Sequence, residues 1–191
     1  METPDLDPRA VRTRRALVDA MAAMLEDHEP GEITVTELVA RAGVSRPSFY
    51  QHAGDIPALV AAAGVDRLAA IFARSDALTA GLEGAELARP TIRNIVADLA
   101  DEREFYRRVL RGVGGHDVSA RVTDFVAGRL RGGRLIPAGR EPLTDDLITA
   151  IAAGATWLII RWLDGDPADS PERMSERLSD VLLALSSATT S

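Results

Sequence analysis

Apolar side chains recur at intervals of three and four residues along most of the chain. An α-helix has about 3.6 residues per turn, so this spacing places apolar side chains on one helical face. The repeat predicts a first helix over residues 11–25 and a last one over Pro171–Ser187. No segment alternates apolar and polar residues over the length of a strand. The predicted fold class is therefore all-α.

Turn and cap signals divide the first sixty residues into short helices. Thr34 and Glu37 have the spacing of a capping box, which predicts a short helix just after Thr34. Gly43 supplies a turn, because glycine accepts a left-handed backbone conformation. Ser45 then caps a second short helix, and Asp55 begins a much longer one. The pattern predicts two short helices joined by a tight turn, followed by a long helix.

The two short helices around Gly43 have the layout of a helix-turn-helix, which places its second helix in the major groove of DNA. Leu38, Val44 and Phe49 form an apolar plug that fixes the angle between the helices. The exposed face of the second helix carries residue types that bind phosphates and base edges, namely Arg46, Ser48, Tyr50, Gln51 and His52. The alternative from the pattern alone is a plain helical hairpin in which Gly43 only ends a helix.

Residues 34–52, TVTELVARAGVSRPSFYQH, closely resemble the DNA-binding motif of the tetracycline-repressor (TetR) family. The preceding RRALVDA at residues 14–20 resembles the first helix of that family. WLIIRWLDGD at residues 157–166 is similar to the dimerisation region of several members. The close match covers roughly residues 12–60, and the remainder matches in layout only.

This resemblance implies an all-helical homodimer. A three-helix domain over residues 1–55 would bind a palindromic operator, and a larger helical domain over residues 56–191 would bind a small-molecule effector that releases the DNA and would form the dimer. The residues that match phosphate contacts by position are Thr36, Ser48, Tyr50 and His52. Those that match base contacts are Arg46, Pro47 and Gln51.

Three positions depart from the family's pattern. Val39 stands where alanine is usual at a close helix crossing, which predicts a slightly wider spacing of the two motif helices. Ala53 replaces the usual phenylalanine after the histidine, and Ile56 replaces a lysine that contacts phosphate. The last two changes predict a modest affinity for DNA or a less common operator.

The net charge of −7 disfavours extensive phosphate contacts. Four arginines nevertheless lie between Arg9 and Arg15, just before the motif. A small basic patch on an acidic protein is compatible with specific binding, but it predicts weak binding to non-specific DNA because few phosphates are neutralised.

The C-terminal segment contains candidates for an effector pocket and a dimer interface. Aromatic residues make up only 4% of the chain. The pocket candidates are Phe72, Phe105, Tyr106, Phe125, Trp157 and Arg161, with Tyr106, Thr156 or Arg161 as groups that would orient a ligand. The interface candidates are Leu147, Ile151, Ile159, Leu178, Leu182 and Leu185, which would form a four-helix dimer contact. The alternatives are that the aromatics are ordinary core residues and that the leucine stripe packs within one chain.

Enzymatic chemistry is not expected. The chain has no cysteine, its three histidines lack metal-ligand spacing, and His116 is expected in a loop. The glycine patterns that bind nucleotide phosphates are absent. Neither a catalytic residue nor a metal or other cofactor is therefore predicted.

A cytoplasmic location is expected, because the first residues lack the apolar region of a secretory signal. The longest uncharged apolar stretch, residues 147–160, is too short for a confident membrane span and predicts a buried helix.

The sequence thus predicts a ligand-responsive, dimeric transcriptional regulator, most simply a repressor. One alternative is a helical protein that binds only ligands or partner proteins, its helix-turn-helix having lost DNA binding. Ala53 and Ile56 favour that alternative. A second is a protein that coats DNA without sequence preference, which the net charge disfavours.

Overall fold

A computed structural model describes residues 7–111, 115–132, 143–165 and 170–187. Within these ranges every regular element is helical, which confirms the all-α prediction. The helices are α1 (Pro8–Met24), α2 (Val35–Ala42), α3 (Arg46–His52), α4 (Ile56–Leu78), α5 (Gly84–Asp101), α6 (Arg103–Arg111), α7 (Gly115–Arg131), α8 (Asp145–Leu163) and α9 (Pro171–Ser187). His116 lies in the first turn of α7, so the prediction that it lies in a loop was wrong. The segment over residues 131–142 is rich in glycine, proline and arginine, which predicts a loop; Arg131 instead ends α7, and residues 133–142 lie outside the described residues.

The chain forms two compact units. Unit 1 comprises Met1–Asp66 and Arg108–Val118, and unit 2 comprises Arg67–Arg107 and Ser119–Ser191. Helices α4, α6 and α7 are each continuous across a unit boundary and so contribute residues to both units. The division of function at residue 55 stays a prediction.

The core of unit 1 is built on the apolar face of α1. Leu17 and Met21 are fully buried one helical turn apart, and Leu25 follows at the end of the helix. This helix packs against both α2 and α3. Leu38 on α2 and Phe49 on α3 are also buried, as the predicted apolar plug requires, whereas Val44 is half-buried.

Side-chain caps define the ends of the motif helices as predicted. Thr34 and Glu37 form a complete capping box, in which the Glu37 N–H donates to Thr34 Oγ1 at 3.3 Å. The Thr34 hydroxyl and N–H donate to the Glu37 carboxylate, and these bonds lower the pKa of Glu37. Gly43 has a φ of 65°, in the left-handed region where glycine is favoured, and it ends α2. Ser45 accepts a hydrogen bond from the Ser48 N–H and so begins α3.

The core of unit 2 combines aromatic and aliphatic side chains from several helices. The rings of Phe72 and Phe125 meet edge to face with centroids 5.3 Å apart. Trp162 and Met174 are fully buried. An aliphatic cluster joins α7 to α8, and its buried members are Ala127, Leu130, Ile148, Ile151 and Ala152. Helix α9 packs against α5 and α8.

Two helices, α4 and α8, are long and apolar enough to cross a membrane by length and hydropathy alone. Helix α4, however, carries Asp66 and Arg67 near its middle, and Arg67 forms an ion pair with Glu102. Charged residues at the centre of a lipid-exposed helix are strongly unfavourable. Ile148, Ile151 and Trp162 on α8 are buried against other parts of the chain. Both helices therefore have the character of core helices.

Replacing Thr34 with alanine is expected to destabilise the protein by about 1 kcal/mol, because the first turn of α2 loses its cap. The measurement is the midpoint of urea unfolding. Thr13→Ala is the matched control, because Thr13 lies inside α1 and caps nothing. That control is expected to be neutral or slightly stabilising, since alanine favours a helix interior. Equal losses in the two variants would contradict the capping role.

Candidate nucleic-acid interface

The side chains matched to DNA contacts form one polar surface on unit 1, here called the recognition surface. Its members are Thr36, Arg46, Pro47, Ser48, Tyr50, Gln51 and His52. Ser48 and His52 are half-buried and the others are exposed. Tyr50 is 65% exposed although its neighbour Phe49 is buried, so α3 turns its hydroxyl-bearing ring to solvent and its apolar ring to the core. The short helix is therefore strongly amphipathic.

Hydrogen bonds connect the two motif helices at the start of α3. The Arg46 guanidinium donates to the hydroxyl of Thr36 in the first turn of α2. The hydroxyls of Ser45 and Ser48 lie 2.9 Å apart and share a hydrogen bond. Arg46 is thereby held over the gap between the two helices, with its remaining N–H groups free to meet an acceptor.

Arg14 of α1 fixes the other end of α3. Its Nη1 donates to the main-chain carbonyl of His52 at 2.9 Å. The last carbonyls of a helix have no partner within the helix and carry partial negative charge, so a guanidinium there is favourable. The sequence places Arg14 in a basic cluster, but the structure shows that it positions α3.

Ion pairs within unit 1 also reduce the number of clustered arginines that are available to phosphate. Arg15 lies 3.0 Å from Asp19 and 2.6 Å from Asp66. Arg9 and Arg12 are exposed. Two of the four clustered arginines therefore bind groups within the chain, which strengthens the expectation of few phosphate contacts outside the recognition surface.

A second arginine, Arg108, binds main-chain carbonyls at the end of α1. Arg108 donates to the carbonyls of Leu25, at 3.1 Å, and of Glu26. Its guanidinium also lies 3.8 Å from the carboxylate of Glu29. Sequence analysis missed both Arg14 and Arg108, because a contact between a side chain and a distant carbonyl leaves no local pattern.

The predicted effector residues separate into a buried set and an exposed set. Phe72, Phe105 and Tyr106 are buried in unit 2, and Phe125 is half-buried against Phe72. The rings of Phe105 and Tyr106 lie 5.3 Å apart. Trp157 is 61% exposed, and Arg161 is also exposed. These last two lie on the surface of unit 2, apart from the buried aromatics.

The predicted interface residues differ from one another in burial. Ile151 and Leu178 are buried within the chain. Leu147, Ile159 and Leu182 are half-buried, and the side chain of Leu185 lies outside those that the structure describes.

Other residues of α8 are exposed, and four of them, Ala150, Ala153, Gly154 and Trp157, are here called the α8 surface. Their three- and four-residue spacing puts them on one stripe. Sequence analysis missed the three small residues because alanine and glycine give almost no signal in an apolar pattern.

No protein-family model and no curated protein matches the chain. Solved structures do. The TetR-family repressor AlkX from Dietzia sp. strain DQ12-45-1b aligns over 97% of this chain and 98% of its own, at 16% identity and a TM-score of 0.63. The chain has the fold of the TetR-family repressors.

Two further TetR-family repressors support this likeness. FadR from Thermus thermophilus, solved with lauroyl-CoA, aligns over 89% of this chain and 93% of its own, at 21% identity and a TM-score of 0.64. QsdR from R. erythropolis aligns over 94% of this chain and 96% of its own, at 16% identity and a TM-score of 0.60. In this fold the N-terminal helices form the helix-turn-helix, which confirms the predicted architecture.

Arg14→Met is expected to lower the stability of unit 1 by about 1 kcal/mol, because the last turn of α3 loses its hydrogen-bond donor. Hydrogen exchange of the amides in α3 should accelerate more than exchange in α1. Arg12→Met is the matched control, since Arg12 is an exposed arginine on the same helix. Equal exchange rates in the two variants would show that Arg14 does not position α3.

Proposed function

We propose that the protein is a homodimeric transcriptional repressor that binds a palindromic operator and is released by a small-molecule effector. The recognition surface is the observation that carries this proposal. It presents seven polar or small side chains on two short helices whose relative position is fixed by buried apolar residues and by two arginine contacts. A polar, pre-positioned helix face of this kind is what the major groove requires.

Charge supports specific rather than general DNA binding. The chain is acidic overall, and Arg14 and Arg15 bind groups within unit 1. Affinity must then come mainly from the donors on the recognition surface and from the exposed Arg9 and Arg12. Arg46 and Gln51 are both exposed on that surface. Arginine pairs with guanine and glutamine with adenine through two hydrogen bonds each. Coating of DNA without sequence preference would need many more unpaired cations.

The α8 surface supports a homodimer. Its small residues permit close approach of a second helix, and Trp157 provides a large apolar side chain that is exposed in the single chain. A twofold axis beside α8 would bury Trp157 against the partner. Two recognition helices must be about 34–36 Å apart to occupy successive major grooves.

An effector site in unit 2 is supported by the buried aromatic residues Phe72, Phe105 and Tyr106. Among proteins of the same fold, FadR of Thermus thermophilus binds lauroyl-CoA, and AlkX is implicated in biodegradation of n-alkanes. An effector with a long apolar chain therefore suits this fold. Release of DNA requires that the effector bind the DNA-free conformation more tightly than the DNA-bound one. A cytoplasmic location follows from the proposed contact with chromosomal DNA.

Arg46→Ala and Gln51→Ala are each expected to cost about 1–3 kcal/mol on the best operator and to relax selectivity at one base pair per half-site. Tyr50→Phe is expected to weaken binding to all sequences about equally, since a phosphate contact carries no base information. The operator is first selected from random DNA. Each variant is then titrated, at fixed salt, against operators changed one base pair at a time.

Uniform losses across that panel for both Arg46→Ala and Gln51→Ala would show that neither residue reads bases. Failure of the wild-type protein to enrich any sequence would favour the alternative, a ligand- or partner-binding protein whose motif has lost DNA binding.

Trp157→Glu is expected to give a folded monomer that binds operator at least tenfold more weakly, because a charge on the α8 surface cannot be buried in a dimer contact. Sedimentation and circular dichroism are the measurements. Leu78→Glu is the matched control, since Leu78 is also exposed, at 74%, and lies on α4. A Trp157→Glu variant that still sediments as a dimer would place the interface elsewhere.

A further inference from the structure

Three buried hydroxyl groups in unit 2, those of Tyr106, Thr156 and Thr91, have no hydrogen-bond partner among the residues that the structure describes. Tyr106 on α6 is 6% exposed and Thr156 on α8 is 7% exposed. Neither Tyr106 Oη nor Thr156 Oγ1 forms a hydrogen bond with any residue that the structure describes. A buried polar atom without a partner is costly and uncommon in folded proteins. Both hydroxyls therefore point to a missing partner.

The helices that carry these hydroxyls are joined by Arg103. Its guanidinium donates to the carbonyls of Trp162 and Leu163 at the end of α8. Tyr106 follows Arg103 by one turn on α6, and Thr156 precedes Trp162 by six residues on α8. At about 1.5 Å per residue, Thr156 lies roughly 9 Å along the helix from that junction. Both hydroxyls therefore lie within two helical turns of the contact that Arg103 makes between α6 and α8.

The charges near Tyr106 are already matched. Arg67 pairs with Glu102, and Arg74 pairs with both Asp98, at 3.0 Å, and Glu102. Beside the Phe72 ring, Arg129 pairs with Asp76. An anionic ligand entering here would find its potential cationic partners engaged, and it would also meet the carboxylates that engage them.

Other buried donors do not provide an unpaired cation for an anionic ligand. The Nε atoms of Arg107 and Arg129 lack an acceptor, but each guanidinium binds a carboxylate through another nitrogen. Thr91 on α5 contributes a third unpartnered hydroxyl. Burial also raises the pKa of Tyr106 above its ordinary value, so its hydroxyl stays protonated and can donate. The capacity left for a ligand's hydrogen-bonding group is therefore mainly that of neutral hydroxyls.

We propose that the effector is an uncharged, largely apolar molecule whose carbonyl or other neutral acceptor binds the hydroxyls of Tyr106 and Thr156. This inference rests on the proposed function, because it specifies the ligand of the proposed effector site. It separates this chain from FadR of Thermus thermophilus, which was solved with the polyanionic ligand lauroyl-CoA.

The test compares four probes with the same eight-carbon chain: methyl octanoate, octanoate, octylamine and octanoyl-CoA. Each is titrated into the full-length protein, with calorimetry reporting binding and fluorescence anisotropy of selected operator DNA reporting release. Methyl octanoate is expected to bind and to release operator, whereas the three charged probes bind at least tenfold more weakly. Stronger binding by any charged probe, or no binding by the ester, would overturn the proposal.

Variants test the two hydroxyls directly. Tyr106→Phe and Thr156→Val should each weaken binding of methyl octanoate about five- to tenfold, the value of one neutral hydrogen bond. Their melting temperatures without ligand should be unchanged or raised, because the hydroxyl removed has no partner. Ser179→Ala is the matched control, since the buried Ser179 hydroxyl already donates to the Ser175 carbonyl. Its binding of the ester should be unchanged.

Ester binding that is unaffected by both Tyr106→Phe and Thr156→Val would overturn the assignment of these hydroxyls. Operator binding without ligand tests the proposed repressor function separately. A protein that binds methyl octanoate through Tyr106 but selects no operator would refute the repressor function and leave the assignment of the ligand site in place.

Discussion

The apolar face of α1 is the constraint on which the recognition surface depends. Helix α3 has seven residues, too few for an isolated helix to be stable in water. It persists because Phe49 is buried in the unit 1 core that includes Leu17 and Met21. Burial of these side chains supplies the free energy that the short helix lacks, at about 25 cal/mol per Å² of apolar surface. The polar residues of α3 are then free to serve recognition instead of stability.

Arginine contacts to helix ends complete this framework. Arg14 donates to the last carbonyl of α3, Arg108 to carbonyls at the end of α1, and Arg103 to carbonyls at the end of α8. Each contact satisfies a carbonyl that lacks a partner within its own helix, and each fixes one helix against another. In a chain with 22 basic residues, several cations therefore have structural roles. Arg14 therefore belongs to the basic cluster in the sequence but binds the end of α3 in the structure.

Unit 2 differs from unit 1 because it contains buried hydroxyl groups without hydrogen-bond partners among the described residues. In unit 1 the caps of α2 and α3 are complete. In unit 2 the hydroxyls of Tyr106 and Thr156 are buried without partners among the described residues. A ligand that gives these hydroxyls a hydrogen-bond partner would stabilise the folded state of unit 2. The division agrees with the proposed separation of DNA binding from effector binding.

The sequence by itself determined the helices and the recognition surface, because both depend on local rules. Spacings of three and four residues predict amphipathic helices, and Thr34, Gly43 and Ser45 define the motif through contacts within a few residues. Candidate base readers such as Arg46 are named by their position on one short helix. Only the tertiary structure decided which apolar side chains remain on the surface. Ile151 is apolar but buried in the chain, whereas Trp157 is exposed, and both lie on α8. The reason is physical: periodicity shows that a helix has an apolar face, but burial depends on which distant helices pack against it.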